Sequence, residues 1–217
     1  MGIDRRHLLR GFAASAVGLA TSEAFGCGSP QALMICRQGT RYAGLRRIPR
    51  VAAQETMVWC WAATLEMIFA AHRKRVSQRS IVEQVYGRAV EAPIDRLSLL
   101  QSIDRTYTDE EGDEFQVTSG IFDLATGQAT ISNVDIIDEF QAGRPIIYCN
   151  HTHMVAAYGA HYSSTGTPYS PVTICQVMVA DPWPPRVGSH RQLQLCEMVP
   201  AFFPGGQLTF VATVEVS

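Results

Sequence analysis

The sequence predicts an α+β fold: an N-terminal helical part packed on a C-terminal antiparallel β-sheet. Three observations carry this expectation. From Cys60 onward, Trp61, Leu65, Ile68, Phe69 and His72 recur at helical spacing and form one stripe of an amphipathic helix. After Pro145 the pattern changes to β-rich runs separated by turn residues: "PIIYCN", "HMVAAYGAHY", "VTICQVMVAD", "RQLQLCEM" and "LTFVATVEV". Helices gathered in one half and strands in the other indicate α+β rather than alternating β-α units. The composition, 217 residues with 47% hydrophobic and 18% charged, suits one globular domain long enough to bury a core.

Taken in order, residues 1–26 stand apart. Arg5 and Arg6 precede an uncharged apolar stretch from Gly11 to Ala20, and Ala24 and Gly26 offer a small-x-small cleavage pattern. This is the layout of an export signal, with an apolar region too short to span a bilayer. The order Asp4-Arg5-Arg6-His7-Leu8-Leu9-Arg10 resembles a bacterial twin-arginine signal. It implies an exported protein, periplasmic or secreted, with no integral membrane segment once the signal is removed. Phe25 sits where lipoprotein signals take a small residue, which argues against lipidation of Cys27. Residues 27–47 read as a loop-rich entry strap, too short for a folded inhibitory pro-domain, and residues 48–217 as the domain itself.

Within the domain, "RKR" at 73–75 is expected to close the first helix with favourable charge. Ser80 to Tyr86 reads as a second helix ended by Gly87, and Leu97 to Ile103 as a third. The acidic run "DEEGDE" (109–114) reads as a solvated loop or hairpin tip, since its spacing matches no known metal loop. "FQVTSG" and "QATIS" have strand character, and Asn133 is expected to cap a short helix stopped by Gly143.

A formal charge of -2 gives no electrostatic reason to propose nucleic acid or an anionic membrane as partner. No phosphate-binding glycine motif and no internal repeat is present, and no cofactor or metal is implied. The sequence does not specify an oligomeric state. The chain has six cysteines, which in an exported protein suit disulfides. With Cys60 reserved for chemistry, Cys27, Cys36, Cys149, Cys175 and Cys196 remain, an odd set that leaves a further free thiol. Spacing suggests Cys27 with Cys36 and Cys175 with Cys196.

The chemistry is concentrated in "AAQETMVWCWAATLEMIF" (52–69). Cys60 starts its helix, where partial positive charge from the backbone favours a thiolate. Such a nucleophile needs an imidazole base, a group to orient that imidazole, and donors for an oxyanion. Gln54, in the loop before the helix, can supply a side-chain donor. His153, at the head of an alternating strand, is the preferred base, with His151 as runner-up on the same face by period two. His72 ends the Cys60 helix, about 18 Å away at ~1.5 Å per residue, and cannot serve. Asp181, where "VMVADPWPP" ends an apolar strand, is the expected orienting group. Trp59, Trp61 and Trp183 read as packing, with the first two anchoring the helix start and keeping water from the thiol. Cys149 reads as core.

Gln54, "WCWAA" (59–63), "GRP…HTHMVAAYG" and "ADPWPP" together resemble the papain-like cysteine peptidases. The branch most similar is the compact bacterial one that includes staphopain-like enzymes, secreted effector proteases and double-glycine-leader peptidases. "VSQRSIVEQVYG" (76–87) also resembles the second helix of that branch, and the likeness covers roughly residues 48 to 190. It implies a papain-like fold with Cys60 as nucleophile, His153 as base, Asp181 as orienter and Gln54 in the oxyanion hole. Val58-Trp59 before the Cys, and Asp as third member, depart from the larger papain relatives and leave their subsite assignments unsafe here. The implied activity is hydrolysis of a peptide or protein substrate. The alternatives are a transpeptidase or amidase of the same chemistry, and a non-catalytic binding module on this fold.

Overall fold

The computed structural model describes residues 40–94, 96–127, 129–164 and 172–217. The export-signal reading, residues 27–39 of the entry strap, and both Cys27 and Cys36 lie outside the described residues.

The described chain opens with strand β1 (Arg41–Gly44), so the end of the strap is not loop but sheet. Helix α1 (Cys60–Ala71) follows, built from Ala, Leu and Met with most side chains buried. Its last turn carries no basic residue: His72 is the cap and Arg73 turns into the left-handed region, φ 64°. The expected "RKR" closure therefore lies beyond the helix end. Helix α2 (Gln78–Tyr86) begins at Ser77, whose side chain accepts from Ser80 N–H, and ends at Gly87 with φ 73°. Helix α3 spans Arg96–Ser102.

Strands β2 (Arg105–Thr108) and β3 (Glu114–Asp123) form a hairpin around the acidic run. At its tip Asp109 Oδ1 accepts from the Glu111 and Asp113 N–H groups, so this carboxylate builds the turn. "QATIS" departs from expectation: residues 129–132 are not strand. Both edges of β3 are already taken, by β2 and by strand β8 (Phe210–Val216), so no edge beside it is left for another strand. Ser132, not Asn133, caps helix α4 (Asn133–Gln141), closing a capping box with Asp135.

The remaining strands are β4 (Ile146–Cys149), β5 (Met154–Ser163), β6 (Thr173–Asp181) and β7 (Ser189–Gln192). "RQLQLCEM" splits. Its start belongs to β7, whereas Gln194 and Glu197 form a capping box that turns Leu195–Met198 into the short helix α5. Among the described residues the sheet runs β2-β3-β8-β4-β5-β6-β7, every pairing antiparallel. β1 pairs with the far half of β5, beyond the part that β4 covers. Segregation is therefore incomplete, since three strands precede α4.

The core joins α1 to this sheet. Trp61, Leu65, Ile68 and Phe69 are buried with Ile146, Ile147 and Val155 of β4 and β5. Each such side chain contributes about 1.5–3 kcal/mol by leaving water. Phe69 meets Tyr107 and Phe115 of the hairpin at ring-centroid distances of 4.9 and 5.2 Å. Thr64, fully buried, donates its hydroxyl to the Met154 carbonyl at 3.1 Å. That bond fixes the height of α1 against β5, one residue after His153.

Candidate active site

The two tryptophans around Cys60 explain where the helix starts. Trp59 is buried and donates its indole N–H to the Val90 carbonyl at 2.9 Å, anchoring the N-cap to the loop after α2. It brings no side-chain cap, so the N–H groups of Cys60, Trp61 and Ala62 have no acceptor within the helix. Trp61 is also buried, edge-on to Tyr86 at 6.1 Å. Cys60 itself is partly exposed and opens onto a cleft of ≈ 510 Å³. Trp61, Leu99, Met154 and Phe210 give that cleft an apolar wall beside the thiol.

His153 faces Cys60 across this cleft. The turn before β5 sets its position: Asn150 Oδ1 accepts from the N–H groups of Thr152 and His153, at 2.9 and 2.7 Å. Nε2 of His153 meets Oδ1 of Asp181 at 2.6 Å, and the Cys60 sulfur is a second hydrogen-bond partner of the ring. With Nε2 committed to the carboxylate, Nδ1 is left for the thiol. Burial works against protonation of His153, but the hydrogen bonds and charges of Asp181 and Cys60 outweigh it and raise its pKa to about 9.

His151 also lines the cleft, but it is exposed and lies in the turn rather than on the strand. The period-two expectation fails there because residues 151 and 152 form a bend outside the strand. His153 alone of the two meets Asp181.

Asp181 ends β6 and is 4% exposed. Its Oδ1 also accepts from Trp183 N–H at 2.8 Å, and its Oδ2 accepts from Arg191 Nε at 2.5 Å. Burial opposes its charge, yet these bonds and His153 hold its pKa below the ordinary carboxylate value. Arg191 in turn forks onto Glu197 through two bonds of 2.7 Å. Sequence reasoning missed both residues; the available signal was Arg191 in a short run just after the strand-ending Asp181. Gly188, at φ 57°, lets the intervening turn lie against the sheet, where a Cβ would meet the Asp181 carbonyl oxygen at 3.0 Å. Trp183 is 44% exposed, and its backbone rather than its ring engages the site.

Gln54 is 1% exposed, in the loop leading into α1. Its backbone N–H donates to the Pro182 carbonyl at 3.0 Å and its carbonyl accepts from Arg186 N–H at 3.1 Å, which ties it to the segment following Asp181. Nε2 donates one proton to the Thr56 carbonyl at 2.7 Å, and Oε1 has no partner among the described residues. Met57 and Val58, not Gln54, supply this loop's part of the cleft wall. No local pattern marks the residue that braces this loop. Gln78, at the start of α2, donates to the Ala53 carbonyl and to Glu66 Oε2 and accepts from Glu55 N–H, at 3.0, 2.8 and 2.9 Å.

Cys149 is a free thiol in the same cleft, donating to the Asn150 carbonyl. Burial, with the charge of Cys60 second, pushes its pKa up to about 12. Cys175 and Cys196 are disulfide-bonded. Among the described residues no cluster of His, Cys, Asp and Glu could hold a metal, and no helix is long and apolar enough to cross a membrane.

No protein family and no curated protein matches this chain. Among solved structures, it is similar to a double glycine motif protease from an AMS/PCAT transporter, crystallised in complex with the leader peptide. The two share 13% identity over 81% of this chain and 99% of the other, with a TM-score of 0.42.

Proposed function

We propose that this protein is a papain-like cysteine peptidase that cleaves a peptide or protein substrate through Cys60, His153 and Asp181. The observation that carries it is one imidazole gripped between a helix-N-terminal thiol and a buried carboxylate 2.6 Å away, in an apolar cleft. Cys60 gives its proton to His153, and Asp181 stabilises the imidazolium and fixes its ring angle. The thiolate attacks the scissile carbonyl carbon, and the oxyanion forms beside the unpaired N–H groups that open α1, with the second N–H of Gln54 Nε2 as side-chain donor. The bond to the leaving amine breaks as His153 returns the proton to its nitrogen. A water, deprotonated by His153, then attacks the thioester and frees Cys60. We further place the protein in an oxidising compartment, periplasmic or secreted, because Cys175 and Cys196 are disulfide-bonded.

The test is labelling with a thiol-directed peptide electrophile, followed by mapping of the modified cysteine and assay of Cys60→Ser. Labelling confined to Cys60, with cleavage abolished in the variant, is expected. Labelling elsewhere, or cleavage by Cys60→Ser, would sink the proposal.

A further inference from the structure

We infer that Arg191, held by Glu197, is a positioning residue that locks the Asp181 carboxylate and sets the charge felt by His153. The inference rests on the triad proposed above. A carboxylate that orients an imidazole must itself be unable to turn, and Asp181 is bonded on both oxygens. Oδ1 takes His153 and Trp183 N–H, and Oδ2 takes Arg191 Nε at 2.5 Å. The guanidinium is a rigid fork, and its two other nitrogens grip Glu197 Oε1 and Oε2 at 2.7 Å each. Nη1 adds a bond to the Gln192 carbonyl. Glu197 is fixed in turn by the Gln194 N–H at 2.7 Å. Neither end of the clamp can move without breaking short bonds between charged groups.

The clamp completes an alternating row of charges: Cys60 from α1, His153 from the turn before β5, Asp181 from β6, Arg191 from β7 and Glu197 from α5. Cys149 of β4 adds no charge to the row, because burial keeps it a thiol. A brace that only joined β7 to α5 would need the Arg191–Glu197 pair alone. Here the guanidinium edge is turned to the one oxygen of Asp181 that His153 leaves open.

Position and charge can be separated by experiment. The His153 imidazole resonance, assigned by its loss in His153→Ala, is followed against pH in the full chain and in Arg191→Met, Glu197→Gln and Arg191→Lys. Removing the cation should move the His153 midpoint up by about one pH unit. Removing its counter-anion should move the midpoint down. Arg191→Lys should leave the midpoint near that of the parent while peptide turnover still falls at least tenfold, because one ammonium cannot hold both carboxylates. Midpoints that stay put, or shift in the same direction in Met and Gln variants, overturn the inference; so does full turnover in Arg191→Lys. If Arg191→Met does not fold, the Gln and Lys variants decide by the same criteria. The NMR midpoint needs no substrate, so it stands or falls separately from the Cys60 labelling that tests the peptidase proposal.

Discussion

Two free thiols share one cleft, and their surroundings differ. Cys60 has an imidazole partner and the open end of a helix, whereas Cys149 sits at the end of β4 with its thiol held neutral. Iodoacetamide at pH 5–6 should therefore alkylate Cys60 at least tenfold faster than Cys149, as peptide mapping over time would show. Equal rates would mean that His153 does not activate Cys60. His153 and Asp181 are graded by a second set of variants. Asp181→Asn retains an acceptor for the imidazole but loses the charge, so it should keep part of the turnover, and Asp181→Ala should keep less. His153→Ala should be the most impaired and His151→Ala nearly unaffected, since it is His153 that meets Asp181 while His151 lies exposed in the preceding turn. The order is read from initial rates with folding checked by circular dichroism; a dead His151→Ala would reassign the base.

Among the elements, the loop before α1 depends on a helix it does not belong to. Gln78 satisfies the peptide groups on both sides of Gln54, so Gln78→Leu should leave them unpaired and cost about 1–3 kcal/mol in denaturant unfolding. Gln54→Ala should lower peptide turnover about 10²–10³-fold, the usual effect of losing one oxyanion donor, while simple alkylation of Cys60 stays near parent rates. Equal loss in both assays would mean that Gln54 only shapes the loop. How far such features can be read from sequence follows from their range. The α1 stripe, the β4–β6 runs and the 109–114 turn announce themselves because periodicity and turn residues are local signals. The same signals pointed to Cys60, His153 and Asp181, which the fold brings together. β1 "RYAG" and β2 "RTYT" are short and polar, and pairing rather than composition makes them strands. Gln78, Arg191 and Glu197 are clamps whose partners lie on other elements, and no spacing rule marks them.

For the molecule as a whole, the His153–Asp181 pair ties stability to pH. The folded state raises the His153 pKa from 6.5 to about 9, so the stability it contributes is full below pH 6.5 and lost as pH rises through about 9. Asp181 is held below its ordinary 3.8, so its contribution is present above that value and fades as pH falls further. The melting temperature should therefore be highest between about pH 4 and 6.5 as far as this pair decides it. His153→Gln should flatten the alkaline decline in differential scanning calorimetry, and an unchanged decline would assign it to other groups.

The position of β1 also limits how far the N-terminus can be trimmed. Residues 41–44 are hydrogen-bonded to 159–162 of β5, on the edge that β4 leaves uncovered. Any protease that matures this chain by cutting beyond Gly44 would remove a strand and bare a row of N–H and C=O groups beside Tyr158, Ala160 and Tyr162, which the intact fold buries. Such an edge is a template for another chain. A protein beginning at Thr40 should run as a discrete species on size-exclusion chromatography, and one beginning at Leu45 should self-associate or precipitate. If both behave alike, β1 is dispensable; if not, the strand marks the latest point at which processing can stop and still leave a discrete, folded protein.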